Sequence, residues 1–170
     1  DLETETDLST LRVFDAGVGD GTVLTRVMRE MRRRFPTIPA YVVGKEISLE
    51  GHRGKVLLLY FWSTSCAPCV ASMPKMKESY EALSKYQDFA MVSLSGDANE
   101  PTVQKFVNEQ KLTWPQVRIG EDSKIAAAYS VTGYPSYVLI GRDGKILCTG
   151  ASRLDAALRE ALEITDNKSN

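Results

Sequence analysis

The stretch Val56-Leu57-Leu58-Leu59-Tyr60-Phe61-Trp62-Ser63-Thr64-Ser65-Cys66-Ala67-Pro68-Cys69 decides the fold. Residues 55–62 carry a continuous apolar run, the pattern of a central strand covered by other elements on both faces. The run stops just before a C-x-x-C pair, and Val70, Met73, Met76, Tyr80 and Leu83 then recur at helical spacing. A second buried strand is expected over residues 89–94. Strand, helix and strand together make a β-α-β unit with the two cysteines at its first strand-to-helix junction.

Working outward, Pro101 suits a helix start, with Val103, Phe106 and Val107 as its buried stripe, and a short helix follows over residues 123–129. Residues 136–140 and 145–149 flank Gly141-Arg142-Asp143-Gly144 and read as an antiparallel hairpin. Ser152 is expected to cap a last helix carrying Leu154, Leu158 and Leu162 on one face. On the N-terminal side, residues 40–43 and 46–49 flank Gly44-Lys45 and predict a small hairpin with a two-residue turn. Before it, Leu24, Val27, Met28, Met31 and Phe35 alternate with arginines and predict an amphipathic helix ended by Pro36. The order of elements after the first hairpin is β-α-β-α-β-β-α.

The chain has 170 residues, 43% of them hydrophobic and 25% charged, which suits one globular domain with a small appendage. A formal net charge of -1 supplies no field that would recruit nucleic acid or an anionic membrane. The longest apolar run is far shorter than the roughly 18 residues of a membrane-spanning helix, so stable membrane insertion is not expected. The chain begins at Asp1 with no signal-peptide pattern and is expected to be a processed or trimmed form.

Three cysteines are too few for a disulfide-stapled scaffold, and two of them form the C-x-x-C pair. At a helix N-terminus the first sulfur meets unpaired backbone N–H groups, and such placement lowers cysteine pKa values from about 8.5 to roughly 3.5–7.5. Cys66 is therefore the expected nucleophile, and Cys69, one turn further in, the resolving thiol. Pro68 fits the first helical turn, where a missing N–H costs little. The competing readings are an inert pair and half of a zinc site. A structural zinc needs four ligands, and Cys148 and the lone His52 are isolated from the pair in sequence, so no metal is expected. Cys148 is read as a small buried hydrophobe, with an intermolecular disulfide as the alternative.

Further along, Val131-Thr132-Gly133-Tyr134-Pro135 precedes a predicted strand, and Asp143-Gly144-Lys145 lies in the hairpin. With Phe61-Trp62 before the dithiol, Cys66-Ala67-Pro68-Cys69 itself and Pro74 five residues later, the chain over residues 40–164 resembles the thioredoxin superfamily. More narrowly, it is similar to the TlpA/ResA-like extracytoplasmic thiol–disulfide oxidoreductases. The resemblance implies an α/β fold in which a thioredoxin-like mixed sheet is flanked by helices, with an N-terminal β-hairpin and a helical extension. Residues 1–36 would be the extension and residues 37–170 the domain.

The resemblance also implies that Pro135 is a cis proline facing the dithiol and that the Tyr134 backbone pairs with an extended substrate segment. Trp62 is expected beside them in substrate binding, and Pro68, Ser65 and Ser72 in support. Pro74 would kink its helix rather than end it. The implied partners are protein thiols and disulfides and a membrane or soluble thiol donor. The implied place is the bacterial periplasm or cell envelope, with the protein a monomer that needs no cofactor. Three positions depart from the pattern. Ser65 stands where tryptophan is common, Ser72 where glutamate is usual, and Tyr60 where thioredoxins bury aspartate. The proton acceptor for Cys69 is thereby left open. Two rival functions share these residues: a thiol peroxidase of the peroxiredoxin-like branch, and a non-catalytic module that holds extended peptides.

Overall fold

The structure, a computed structural model, describes residues 38–39, 46–47, 50–121 and 123–164. The amphipathic helix expected before Pro36 lies outside the described residues. Strands β1 (Ile38–Pro39) and β2 (Glu46–Ile47) pair antiparallel, with Pro39 opposite Glu46. This corrects the hairpin expected from residues 40–43. The partner of β2 lies further back in the chain, at Ile38–Pro39, and residues 40–45, with the Gly44-Lys45 turn, lie outside the described residues.

The main sheet contains β3 (Val56–Trp62), β4 (Phe89–Ser95), β5 (Gln116–Arg118), β6 (Ser136–Ile140) and β7 (Ile146–Thr149), in the order β5-β4-β3-β6-β7. Between them run α1 (Ala67–Leu83), α2 (Glu100–Gln110) and α3 (Lys124–Ala128), and α4 (Leu154–Ala161) closes the described chain. β3 runs parallel to β4 and antiparallel to β6; β4 and β5 are parallel, and β6 and β7 antiparallel. This is a mixed sheet flanked by helices, as expected, and it has five strands. β5 adds an edge strand to the order read from sequence. With three residues including Gln116 and Arg118, it has neither the length nor the apolar pattern that marks a strand.

All seven residues of β3 are buried. Their side chains alternate between the faces, with Val56, Leu58, Tyr60 and Trp62 on one and Leu57, Leu59 and Phe61 on the other. The first face packs on Met73 and Met76 of α1, Val103 and Val107 of α2, and Leu154 and Leu158 of α4. The second packs on Ala126 of α3 and on Tyr129 and Val138. Coverage on both faces is why β3 reads as an unbroken apolar run.

The helix ends follow local chemistry. Asn99 caps α2, accepting from the Thr102 N–H, with Pro101 in the first turn. Ser123 caps α3 by accepting from Ile125 and Ala126. For α4 the expected Ser152 cap is corrected. The capping position falls at Arg153, with no side-chain cap bond. Pro74 sits inside α1, which continues to Leu83, so that proline does not end the helix. Arg142 in the β6–β7 turn pairs with Asp88 and donates to the Ala161 carbonyl (2.6 Å), which ties that turn to the start of β4 and the end of α4. Among the described residues no helix is long and apolar enough to cross a membrane.

Tyr60 is fully buried, and its ring stacks on Tyr137 with centroids 5.1 Å apart. Burial pushes its phenol from 10.0 up to about 12; the hydrogen bond with Ser72 opposes the rise and Tyr137 adds to it. Between these values the unfolded chain loses a proton that the folded chain keeps. This contribution to stability is complete below pH 10 and is lost as pH rises toward 12, by roughly 2–3 kcal/mol at most. Urea unfolding at pH 8 and pH 11 should therefore show a smaller alkaline loss for Tyr60→Phe than for the wild type. Equal losses would mean that Tyr60 ionises no differently in the two states.

Candidate active site

Sheet register builds the site. Trp62 lies opposite Ser95 and Phe61 opposite Ser136, so the loops that follow β3 and β4 and the loop that precedes β6 all meet at one end of the sheet. The dithiol turn, the Gly96-Asp97 turn and the Tyr134-Pro135 loop are thus brought together from distant parts of the chain.

Cys66 caps α1 in extended backbone conformation, with Ala67 and Pro68 as the first two helical residues. Its Sγ accepts a hydrogen bond from the Cys69 N–H (3.2 Å), so a backbone donor of the first turn points at the sulfur. The Cys66 N–H donates to the Ser63 carbonyl (3.3 Å), and the Cys66 carbonyl accepts from Val70 (3.1 Å). Cys66 and Cys69 are joined as a disulfide, with Cα atoms 5.2 Å apart. Cys66 is half-buried and Cys69 is 0% exposed. Any partner approaching from solvent reaches Cys66 first. The two sulfurs that a zinc site would share are bonded to each other.

Pro68 and Ser65 are exposed at the mouth of the site, and the Ser65 hydroxyl lies 3.0 Å from that of Ser63. Ser72 is half-buried one turn beyond Cys69. Its hydroxyl donates to the Cys69 carbonyl (2.9 Å) and lies 3.4 Å from the Tyr60 phenol. Burial raises the Tyr137 phenol above its ordinary value, and a hydrogen bond with Ser72 opposes that rise. The positions where similar proteins carry carboxylates are therefore filled by hydroxyls that bond to each other and to the Cys69 backbone.

The Tyr134–Pro135 peptide bond is cis, and both residues are half-buried. Trp62 requires correction. It is 0% exposed, on the face of β3 that packs against α2, with its ring 5.1 Å from Phe106. Strand alternation turns it inward although it stands four residues before Cys66, so its side chain is closed to a docked substrate. Cys148 is a free, half-buried thiol rather than a buried one, and burial raises its pKa.

Asp97 is the site residue that the sequence did not reveal. Its carboxylate accepts from the Thr64 N–H (3.0 and 3.2 Å), the Thr64 hydroxyl (2.6 Å) and the Ser95 hydroxyl (2.6 Å). Only the succession Ser95-Gly96-Asp97 after a buried strand pointed to it, and that marks no chemistry in particular.

Comparisons with known proteins agree with this geometry. A curated relative named thiol-disulfide oxidoreductase ResA, from Bacillus cereus, is 38% identical over 113 residues; the alignment covers 64% of this chain and 64% of that one. The chain thus spans less than two thirds of that relative's length. Among solved structures, a thiol-disulfide oxidoreductase from Bacteroides fragilis superposes with a TM-score of 0.66 at 28% identity, covering 73% of this chain and 94% of that one. The thioredoxin domain of a thiol-disulfide oxidoreductase from Bacteroides vulgatus gives 0.62 at 26%, covering 75% and 89%. The Thioredoxin-like family model matches residues 54–146, a span running from the turn before β3 through the dithiol and the cis proline to β7. The match takes in the buried central strand, the C-x-x-C helix that it opens into and the cis proline, and covers more than half of the sequence, so the chain belongs to the thioredoxin-like family.

Proposed function

We propose that this chain is a thiol–disulfide oxidoreductase acting on protein disulfides through a mixed disulfide on Cys66. The observation that carries the reading is the hydrogen bond from the Cys69 N–H to Cys66 Sγ at the start of α1. A sulfur held in this way is stabilised as a thiolate once the disulfide is reduced.

In the reducing direction the Cys66 thiolate attacks one sulfur of a substrate disulfide. A Cys66–substrate bond forms and the other substrate sulfur leaves as a thiolate. Cys69 then gives up its proton and attacks Cys66 Sγ, releasing the second substrate thiolate. Two electrons pass to the substrate, and the protein is left with the Cys66–Cys69 disulfide seen in the structure. An external thiol donor restores the dithiol by the reverse exchange.

The proposal extends to the groove. Pro135 and the Tyr134 backbone hold an extended substrate strand beside Cys66, and Ser65 leaves the adjoining wall small and polar. It also includes an extracytoplasmic site in the periplasm or cell envelope, a reductant's role, a membrane or soluble thiol donor, and action as a monomer. These rest on the resemblance to TlpA/ResA-like proteins. Residues 37–170 form the catalytic unit, and residues 1–36 are accessory.

Three outcomes are expected. Cys66→Ser abolishes insulin reduction, whereas Cys69→Ser accumulates mixed disulfides visible on non-reducing gels; faster alkylation of Cys69 than of Cys66 in the reduced protein would reverse the roles. Deleting residues 1–36 leaves a chain that still reduces insulin, and a folded but inactive product would place part of the site in the extension. Ser72→Glu puts an acid where a hydroxyl now bonds the Cys69 carbonyl, and a carboxylate there would have a raised pKa and act as a general base for Cys69. Where proton transfer limits resolution, stopped-flow release should accelerate by up to about 10²-fold with a changed pH profile, at a cost in stability from burying the acid. Superimposable profiles from two folded proteins would remove proton acceptance at this position from the mechanism.

A further inference from the structure

The reduced dithiol needs a substrate sulfur delivered in line with Cys66, and so needs a fixed spacing between the dithiol turn and the Tyr134-Pro135 loop. Both loops meet the turn that follows β4.

On one side, Gly96 donates its N–H to the Trp62 carbonyl (2.9 Å), and Asp97 gathers the Thr64 N–H and hydroxyl. The next bond in the chain is that of the Cys66 N–H to the Ser63 carbonyl. Both ends of the short segment from Trp62 to Thr64 are thus pinned to residues 96 and 97, immediately before the nucleophile. Asp97 is itself held, because the Ser95 hydroxyl donates to its carboxylate and accepts from its N–H (3.2 Å). Three donors converge on this carboxylate, with the Thr64 N–H shared between its two oxygens.

On the other side, the Tyr134 phenol lies directly on Gly96. A Cβ at residue 96 would fall 2.6 Å from Tyr134 Cζ and 2.7 Å from Cε2, so a side chain there displaces the ring. Burial raises the Tyr134 phenol above its ordinary value, and the carboxylates of Asp97 and Glu121 add to the rise, which agrees with a ring lodged beside this turn.

We infer that the Ser95-Gly96-Asp97 turn sets the width of the substrate groove, with Asp97 positioning the dithiol side and Gly96 seating Tyr134 on the opposite side. The inference rests on the oxidoreductase reading above. It assigns the two halves of one turn to different kinetic constants. Gly96 governs how a protein strand binds, and Asp97 governs how Cys66 is presented to it. A misplacement of about 1 Å at a reacting centre costs up to roughly 10²-fold in rate, so each half has a measurable effect.

The test uses the full chain, with insulin as the protein disulfide, dithiothreitol as the thiol donor and iodoacetamide as a small probe of Cys66. Turnover of insulin by the wild type is measured first; its absence would overturn the oxidoreductase reading itself, before any variant is made. Gly96→Ala is expected to raise KM for insulin about tenfold while kcat and the iodoacetamide rate stay within about twofold of wild type. Asp97→Ala is expected to lower kcat about tenfold or more and to shift the pH profile of Cys66 alkylation, with little change in KM. Asp97→Asn, which keeps one acceptor for Thr64 and lets the amide donate to Ser95, should recover most of the rate. Should Asp97→Ala not fold, Thr64→Val removes one hydrogen bond of the same cluster and should lower kcat in the same sense. Folded Gly96 and Asp97 variants with wild-type kcat and KM would overturn the inference. So would losses that fall on the same constant in both variants, or that follow only their melting temperatures.

Discussion

The burial of β3 on both faces is the constraint on which the rest depends. Its seven residues have no solvent side, and its backbone is paired with β4 on one edge and β6 on the other. A strand so enclosed has one register. A slip of one residue would exchange Tyr60 and Trp62 with Leu59 and Phe61 and place each set against the wrong helices. Because β3 cannot slip, the point at which it ends is fixed, and so is the start of α1. The position of Cys66 at a helix N-terminus is a consequence of a hydrophobic core several residues away.

The two cysteines differ because the helix enters the core at once. Cys66, at the capping position, stays half-exposed and receives the Cys69 N–H, whereas Cys69 is packed with Met73 and Trp62 in the face covered by α1. The unequal exposure of the two sulfurs therefore needs no special side chain. What surrounds Cys69 is less expected, since Tyr60 and Ser72 place hydroxyl groups where the resemblance implies acids, and the Tyr137 phenol joins them. Buried hydroxyls are satisfied by one another at small cost, and a buried carboxylate is not. The arrangement favours stability around the inner sulfur, Cys69.

Reading the chain residue by residue succeeded where the signal was local. The strand over residues 136–140, the turn at Gly141-Arg142-Asp143-Gly144 and the helix start at Pro101 lie within a few residues of the features that specify them. The misses have a common cause. β5 is defined by its pairing with β4 rather than by its own three residues. The start of α4 is set by the packing of Leu154 and Leu158 on the sheet, which overrides the hydroxyl of Ser152. The resemblance places Trp62 at the groove, yet strand alternation turns it into the core.

The sequence by itself determined the order of the main strands and helices, the placing of the C-x-x-C pair at a strand-to-helix junction, and the family pattern that includes Tyr134-Pro135. Each is encoded in apolar spacing or in adjacent residues, and needs no knowledge of what lies opposite. Tertiary structure alone decided which side chains border the dithiol. Thr64 and Asp97 are 33 positions apart, and no period in the chain links them. They meet because a parallel β-α-β unit returns the end of β4 to the end of β3, so that a carboxylate from one loop can close on the backbone of another.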